Sequence, residues 1–162
     1  TQTSKEFFTD KSIENLLYID LIYKLFPKAK FIYCKRNKFA NLLGILKVFM
    51  PNLLWCHSIE RIIQMMNIYD NKIKEIINEN IIKIHVIELE NFSYDPLKNS
   101  KNLFNFLEFD WNDKILENSV NSKKIIQTVS NLQVREKIIK HDLNYLDSYL
   151  PILKGYGIDK LN

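Results

Sequence analysis

Apolar positions set the outline of this chain. Ile13, Leu16, Leu17, Leu21, Ile22, Leu25 and Phe26 recur at helical spacing, which predicts a long first helix that Asp10 or Ser12 can cap and Pro27 stops. Phe31 to Cys34 is a continuous apolar run between turn formers, the pattern of a short buried strand. A helix follows from Lys38 to about Phe49, with Leu42, Leu43, Ile45, Leu46 and Phe49 on a broad apolar face, ending near Pro51. Residues 57–78 predict a second long helix whose inner stripe is Ile59, Ile62, Ile63, Met66, Tyr69, Ile73, Ile76 and Ile77, with Met65 and Met66 as core filler. Ile81 to Leu89 alternates and is β-branched, as a second strand should be. Residues 90–96 predict a turn into a helix over 97–107, followed by a short helix near 112–118. Residues 119–134 are polar and predict a loop or short strand, and a last helix is expected over 136–149. Strands alternating with helices imply one α/β domain, a partial parallel sheet flanked by crossover helices.

Composition narrows the function only a little. The chain has 162 residues, enough for one domain with a real core, and a formal charge of +4. Its pI near 8.9 comes from scattered lysines, which suits an anionic small molecule and gives no block that argues for nucleic acid. Cys34 and Cys56 have neither metal-ligand nor disulfide-framework spacing, and Cys34 is expected as a small core residue. No apolar run is long enough to span a bilayer, and a cytoplasmic protein is the default expectation. His57, His85 and His141 are not spaced as metal ligands. Glu88 and Glu90 are expected to point to different faces, and not to form an acid–base pair of the glycosidase kind. Trp55 and Trp111 are expected to pack in the core or against helices.

The strongest chemical signal is Lys35-Arg36, two cations where the first strand passes into a helix. Ligands of open α/β sheets bind at that end of a strand, and backbone N–H groups at a helix start favour anions. Arginine adds a flat, permanent charge that matches two phosphate oxygens. A surface pair merely closing a strand is the plain alternative.

Four blocks give the chain a family resemblance: Thr9-Asp-Lys with Asn15-Leu-Leu-Tyr18; Leu25-Phe-Pro-Lys-Ala-Lys-Phe-Ile-Tyr-Cys-Lys-Arg-Asn37; Glu90-Asn-Phe with Asp95-Pro96; and Thr128-Val-Ser-Asn-Leu-Gln-Val-Arg135. Their order and spacing resemble the carboxyl-terminal portion of sulfotransferases, closest to the tetratricopeptide-associated branch related to tyrosylprotein sulfotransferases. The resemblance implies a P-loop NTPase-like fold, present here without its first phosphate-loop strand, so that the chain is expected to be part of a longer domain. It implies sulfuryl transfer from 3′-phosphoadenosine 5′-phosphosulfate to a hydroxyl or amine, with no metal.

By the same resemblance, Arg36 grips the donor's 3′-phosphate and Ser130 lies near the bridging phosphate oxygens. Lys11 stabilises the transferring group, and Arg135 adds to the phosphate cluster. Gly44 occupies the position of a family serine eight residues after the arginine, where glycine lets backbone approach the phosphate more closely. Leu89 replaces a frequent tyrosine, and Asn144-Tyr-Leu146 replaces a glycine–arginine–tryptophan loop. These departures leave open a catalytically inactive binding module built on the same scaffold. A generic nucleotide-phosphate enzyme related to kinases is a further alternative.

Overall fold

The structure is a computed structural model that describes residues 7–48, 50–116, 138, 140, 142–156 and 158. Helix α1 (Ile19–Leu25) leads to strand β1 (Phe31–Lys35) and helix α2 (Lys38–Leu46). The long helix α3 (Ile59–Glu79) crosses back to β2 (Ile84–Glu88), and two helices follow, α4 (Leu89–Tyr94) and α5 (Pro96–Leu107). Near the end stand a 3-10 turn over Asn144–Ser148 and a short helix α6 (Leu150–Leu153). Among the described residues β1 and β2 form a two-stranded parallel sheet, with Phe31 opposite Ile84 and Lys35 opposite Glu88. The parallel pairing follows from the α2–α3 crossover.

Two apolar clusters hold these elements, one at each end of α3. Around its first half, Ile62, Ile63 and Met66 meet Ala40, Leu42 and Leu43 of α2, joined by Leu146, Leu153 and Ile158. Around its second half, Ile76 meets Ile19 and Ile82, with Leu16, Tyr23, Phe31 and Ile84 packed against them. Each fully buried aliphatic side chain contributes about 1.5–3 kcal/mol. Ser58 caps α3 by accepting the Arg61 N–H, and Asn80 closes it in the left-handed region (φ 51°), which asparagine tolerates better than most residues.

Several expectations need correction. The predicted first helix is a 3-10 turn over Ile13–Tyr18 that becomes helical only at Ile19. Its apolar stripe does not face inward as expected. Leu21, Leu25 and Phe26 are 54–64% exposed, while Ile19 is buried. The inward line runs through Leu16, Ile19 and Tyr23, because too few elements converge here to cover more.

Strand β1 is half-exposed: Ile32 is exposed, and so is Cys34, which is not a core residue. With one strand beside it among the described residues, the sheet covers too little of that face. Met66 fills the core as expected, but Met65 is only half-buried and lines a cleft. Residues 90–94 are helical, part of α4, where a turn was expected. Ser93 Oγ donates to the Glu90 carbonyl inside this helix, and the helix ends at Asp95, the residue before Pro96.

The expected helix over 136–149 is also wrong where it can be seen. Residues 138, 140, 142 and 143 are irregular and Asn144–Ser148 is a 3-10 turn. Asp142 accepts hydrogen bonds from the Asn144 backbone and side chain, a local arrangement that competes with helix. The expectations for residues 119–134 lie outside the described residues.

Candidate functional site

Arg36 leaves the sheet one residue past β1, and Asn37 starts α2. The Asn37 Oδ1 accepts the N–H groups of Phe39 (3.0 Å) and Ala40 (3.1 Å). The Asn37 N–H donates to Glu90 Oε1 at 2.9 Å. Three N–H groups at this helix start are therefore already satisfied, which corrects the expectation that free backbone donors there would hold an anion. Lys35 is engaged too. Its Nζ lies 2.8 Å from Glu88 Oε1 on the neighbouring strand, and that hydrogen bond raises the lysine's pKa above its usual value. Arg36 stands one residue beyond it, past the end of β1.

Arg36 reaches back toward Gly44 of α2. A Cβ built on this glycine would stand 3.3 Å from Arg36 Nη1, so the guanidinium lies directly over the bare backbone of α2. Any side chain at position 44 would have to push it aside by a few tenths of an ångström. The structure thus brings together two of the residues singled out in the sequence, Arg36 and Gly44. Behind them, Lys38 forms an ion pair with Asp70 of α3, three-quarters buried at both side chains. Burial first, and then the Asp70 carboxylate, push the neighbouring Tyr33 hydroxyl above the usual tyrosine range. This Tyr33–Asp70–Lys38 group pins the β1–α2 corner onto the middle of α3.

The remaining predicted residues stand apart or out of view. Lys11 is exposed, in the irregular segment just ahead of the Ser12 cap, on a different element from Arg36. Ser130 and Arg135 lie outside the described residues, as does His141. Glu88 and Glu90 do serve different partners, Lys35 and Asn91 for the first and the Asn37 N–H for the second. The cause is that β2 ends at Glu88, because on a continuing strand positions two apart would share a face. His85 is stacked on Phe106 at 5.1 Å, a packing role. Trp55 packs against the larger core and Trp111 sits edge-on to Phe104, as expected of both. Among the described residues no cluster of three His, Cys, Asp or Glu side chains could hold a metal ion, and no helix is long and apolar enough to cross a membrane.

Sequence reasoning missed three contributors: the Asn37 cap, the Glu90 tie and the Lys38–Asp70 pair. An asparagine before Lys-Phe-Ala is a recognisable cap signal. The other two join residues far apart in the chain and leave no local trace.

A cleft of about 610 Å³ opens elsewhere on α3, between Glu14, Leu17 and Tyr18 on one side and Trp55, Arg61 and Met65 on the other. It does not include Arg36 or Gly44.

Comparison with known proteins gives one result. A search of curated proteins finds no match. The family model described as "Sulfotransferase family" matches residues 1–113, which contain β1, Arg36, Gly44, β2 and the Glu90 tie. With more than two-thirds of its length matched, and with a mixed α/β fold built on a parallel strand pair, the chain belongs to the sulfotransferase family.

Proposed function

We propose that the chain takes part in sulfuryl transfer from 3′-phosphoadenosine 5′-phosphosulfate to a hydroxyl or amine, and that it supplies the 3′-phosphate side of the donor site. The observation that carries this reading is the approach of the Arg36 guanidinium to Gly44, 3.3 Å from where a Cβ would stand there. A cation seated there offers two parallel N–H donors to a dianionic phosphate, the geometry in which arginine outperforms lysine. The loss of a serine hydroxyl at position 44 removes a neutral hydrogen bond worth about 0.5–1.5 kcal/mol, whereas a charged one is worth about 1.5–3. Arg36 therefore dominates the subsite. Its mount supports the role: Asn37 fixes the helix start, Glu90 ties it to the end of β2, and Lys38–Asp70 locks it to α3.

In the full reaction the donor supplies the sulfuryl group, and in-line displacement at sulfur sends the proton of the acceptor to a base while the bisphosphate departs. Lys11 and Ser130 are assigned to the negative charge that gathers on the leaving bisphosphate, and Arg135 to the phosphate cluster. We assign the chain to the tetratricopeptide-associated branch related to tyrosylprotein sulfotransferases, on the strength of the Phe-Pro-to-Arg and Ser-x-x-Gln-Val-Arg blocks.

A thermal-shift titration of the chain with 3′,5′-adenosine bisphosphate is the test. A ligand at a hundred times its dissociation constant stabilises by about 2.7 kcal/mol. Arg36→Ala should abolish the shift and Arg36→Lys should leave only part of it. A wild-type protein that shows no shift, or an alanine variant that keeps it, overturns the assignment.

A further inference from the structure

Three elements build the cleft on α3, and neither Arg36 nor Gly44 lines it. Glu14, Leu17 and Tyr18 come from the 3-10 turn Ile13–Tyr18. Leu54 and Trp55 come from the 3-10 turn Leu54–His57, and Arg61 and Met65 from one face of α3. The volume of about 610 Å³ lies inside the range of about 300–1,000 Å³ typical of small-molecule sites. Leu54 is 72% exposed and Tyr18 61%. An apolar body laid between them takes that surface out of water, with a gain that grows with the area covered.

Opposite charges elsewhere in the molecule find each other. Lys30 meets Glu108, Lys35 meets Glu88, Lys38 meets Asp70 and Lys72 meets Asp20, every pair joining residues far apart in the chain. Glu14 and Arg61 are the two charged residues that line the cleft, yet among the described residues no ion pair joins them. Both are exposed. The Glu14 carboxylate accepts one long bond, 3.5 Å from Ser12 Oγ, which leaves its other oxygen open. Asn52, the Tyr18 hydroxyl and the Trp55 indole N–H are the other polar side-chain groups of the lining, and Leu17, Leu53, Leu54 and Met65 complete it. The cleft therefore presents one negative and one positive group, unjoined, among apolar walls.

We propose that this cleft binds a small zwitterion with an apolar body, of the class of aliphatic amino acids, with its ammonium at Glu14 and its carboxylate at Arg61. The complementarity of charge selects that occupant. An anion gains from Arg61 and is repelled by Glu14, a cation meets the reverse, and only a ligand that carries both charges gains from both walls. The guanidinium adds a planar fork that matches a carboxylate. The apolar body of the ligand covers the exposed leucine and tyrosine surface that a bare zwitterion such as glycine leaves wet. The ligand is no donor or acceptor of the sulfuryl group, so this is a second site, and it stands or falls separately from the phosphate site assigned to Arg36.

The test uses L-leucine as probe and Trp55 fluorescence as readout, in a Trp111→Phe background that leaves Trp55 as the single indole. Two comparators each lack one charge of leucine: 3-methylbutylamine keeps the ammonium and 4-methylpentanoate keeps the carboxylate. The expected result is a saturable change with leucine, binding weaker by about threefold to tenfold for either comparator, and no change with glycine; the factor is modest because both charges are exposed to water. The variants should follow the charges. Glu14→Gln should weaken leucine by a similar factor and spare 4-methylpentanoate, whereas Arg61→Gln should weaken leucine and spare 3-methylbutylamine. That crossed pattern separates lost recognition from a folding defect, which would weaken every ligand alike. Leu54→Asp should weaken leucine by about tenfold, the cost of a charge in an apolar wall. An absent signal, a single-charge comparator or glycine that binds as well as leucine, or glutamine variants without the crossed pattern overturns the proposal. So does competition between leucine and 3′,5′-adenosine bisphosphate, which would give the cleft to the donor.

Discussion

The two ends of α3 began with equally apolar sequence and finished very differently. At the first, Leu42 and Ile62 are wholly shielded, because α2, α3 and the distant 146–158 segment converge on one volume. At the second, the cluster has three buried members, and the outward side chains of α1 remain half or more in water. Periodicity says that a segment has an apolar face. Burial depends on how many other elements arrive to meet it. The functional consequence is a division of mounting. Arg36 stands on the well-packed end, through α2 and the Asp70 pair. The segment bearing Lys11 and Glu14 is held more lightly, through Leu16, Ile19 and the Asp20–Lys72 pair at 2.8 Å.

The contrast can be broken most sharply by truncating one leucine at each end. Leu42→Ala should cost about 2–5 kcal/mol in urea denaturation, the range for a buried leucine that leaves a cavity. Leu25→Ala, at a side chain 64% exposed, should stay within about 0.5 kcal/mol. Similar losses at both sites would show that something covers α1 in solution. A second comparison sets one helix cap against the other. Asn37→Ala removes an acceptor from two N–H groups and should cost about 1 kcal/mol. Ser12→Ala removes a 3.3 Å bond from the Glu14 N–H and a 3.5 Å bond to the Glu14 carboxylate, both on an exposed turn, and should cost only a few tenths, measured the same way.

The smallest effect is an alkaline one. Burial raises the Tyr33 hydroxyl, and the hydrogen bonds that Lys35 donates to Glu88 and Lys72 to Asp20 raise those two lysines. Each folded value then lies above the unfolded one, about 10 for tyrosine and 10.4 for lysine. Their contribution is intact below that range and drains away as pH climbs through the raised values, since the unfolded chain releases its protons first. The denaturation midpoint should therefore be level to about pH 9 and fall above it, and Tyr33→Phe should flatten the fall. A midpoint that rises in that window would contradict the environment assigned to Tyr33.

The sequence made some of this visible and hid the rest for physical reasons. The long α3, with Ile62, Ile63, Met66, Ile73 and Ile76 inward, follows from its 3.6-residue rhythm, and β1 and β2 follow from short apolar runs between breakers. The start of the chain misled because a 3-10 turn and a helix share nearly the same spacing over six residues. Cys34 misled because an apolar strand reads as buried whether or not its sheet is wide enough to hide it. Helix α4 is too short to show a period. Arg36 and Gly44 were legible as individual residues, yet the contact between them was not, since it needs the side chain to turn back along α2.

One bond spans more of the molecule than its length suggests. The 2.9 Å link from Asn37 to Glu90 closes a loop that runs up β1, over to α4, and down the ladder between the two strands. A closed circuit of this kind cannot open at one station alone. Loosening residues 88–94 would also release the arginine's footing, so a cut or an insertion in the short stretch after β2 should blunt the phosphate binding proposed for Arg36, some fifty residues away along the chain.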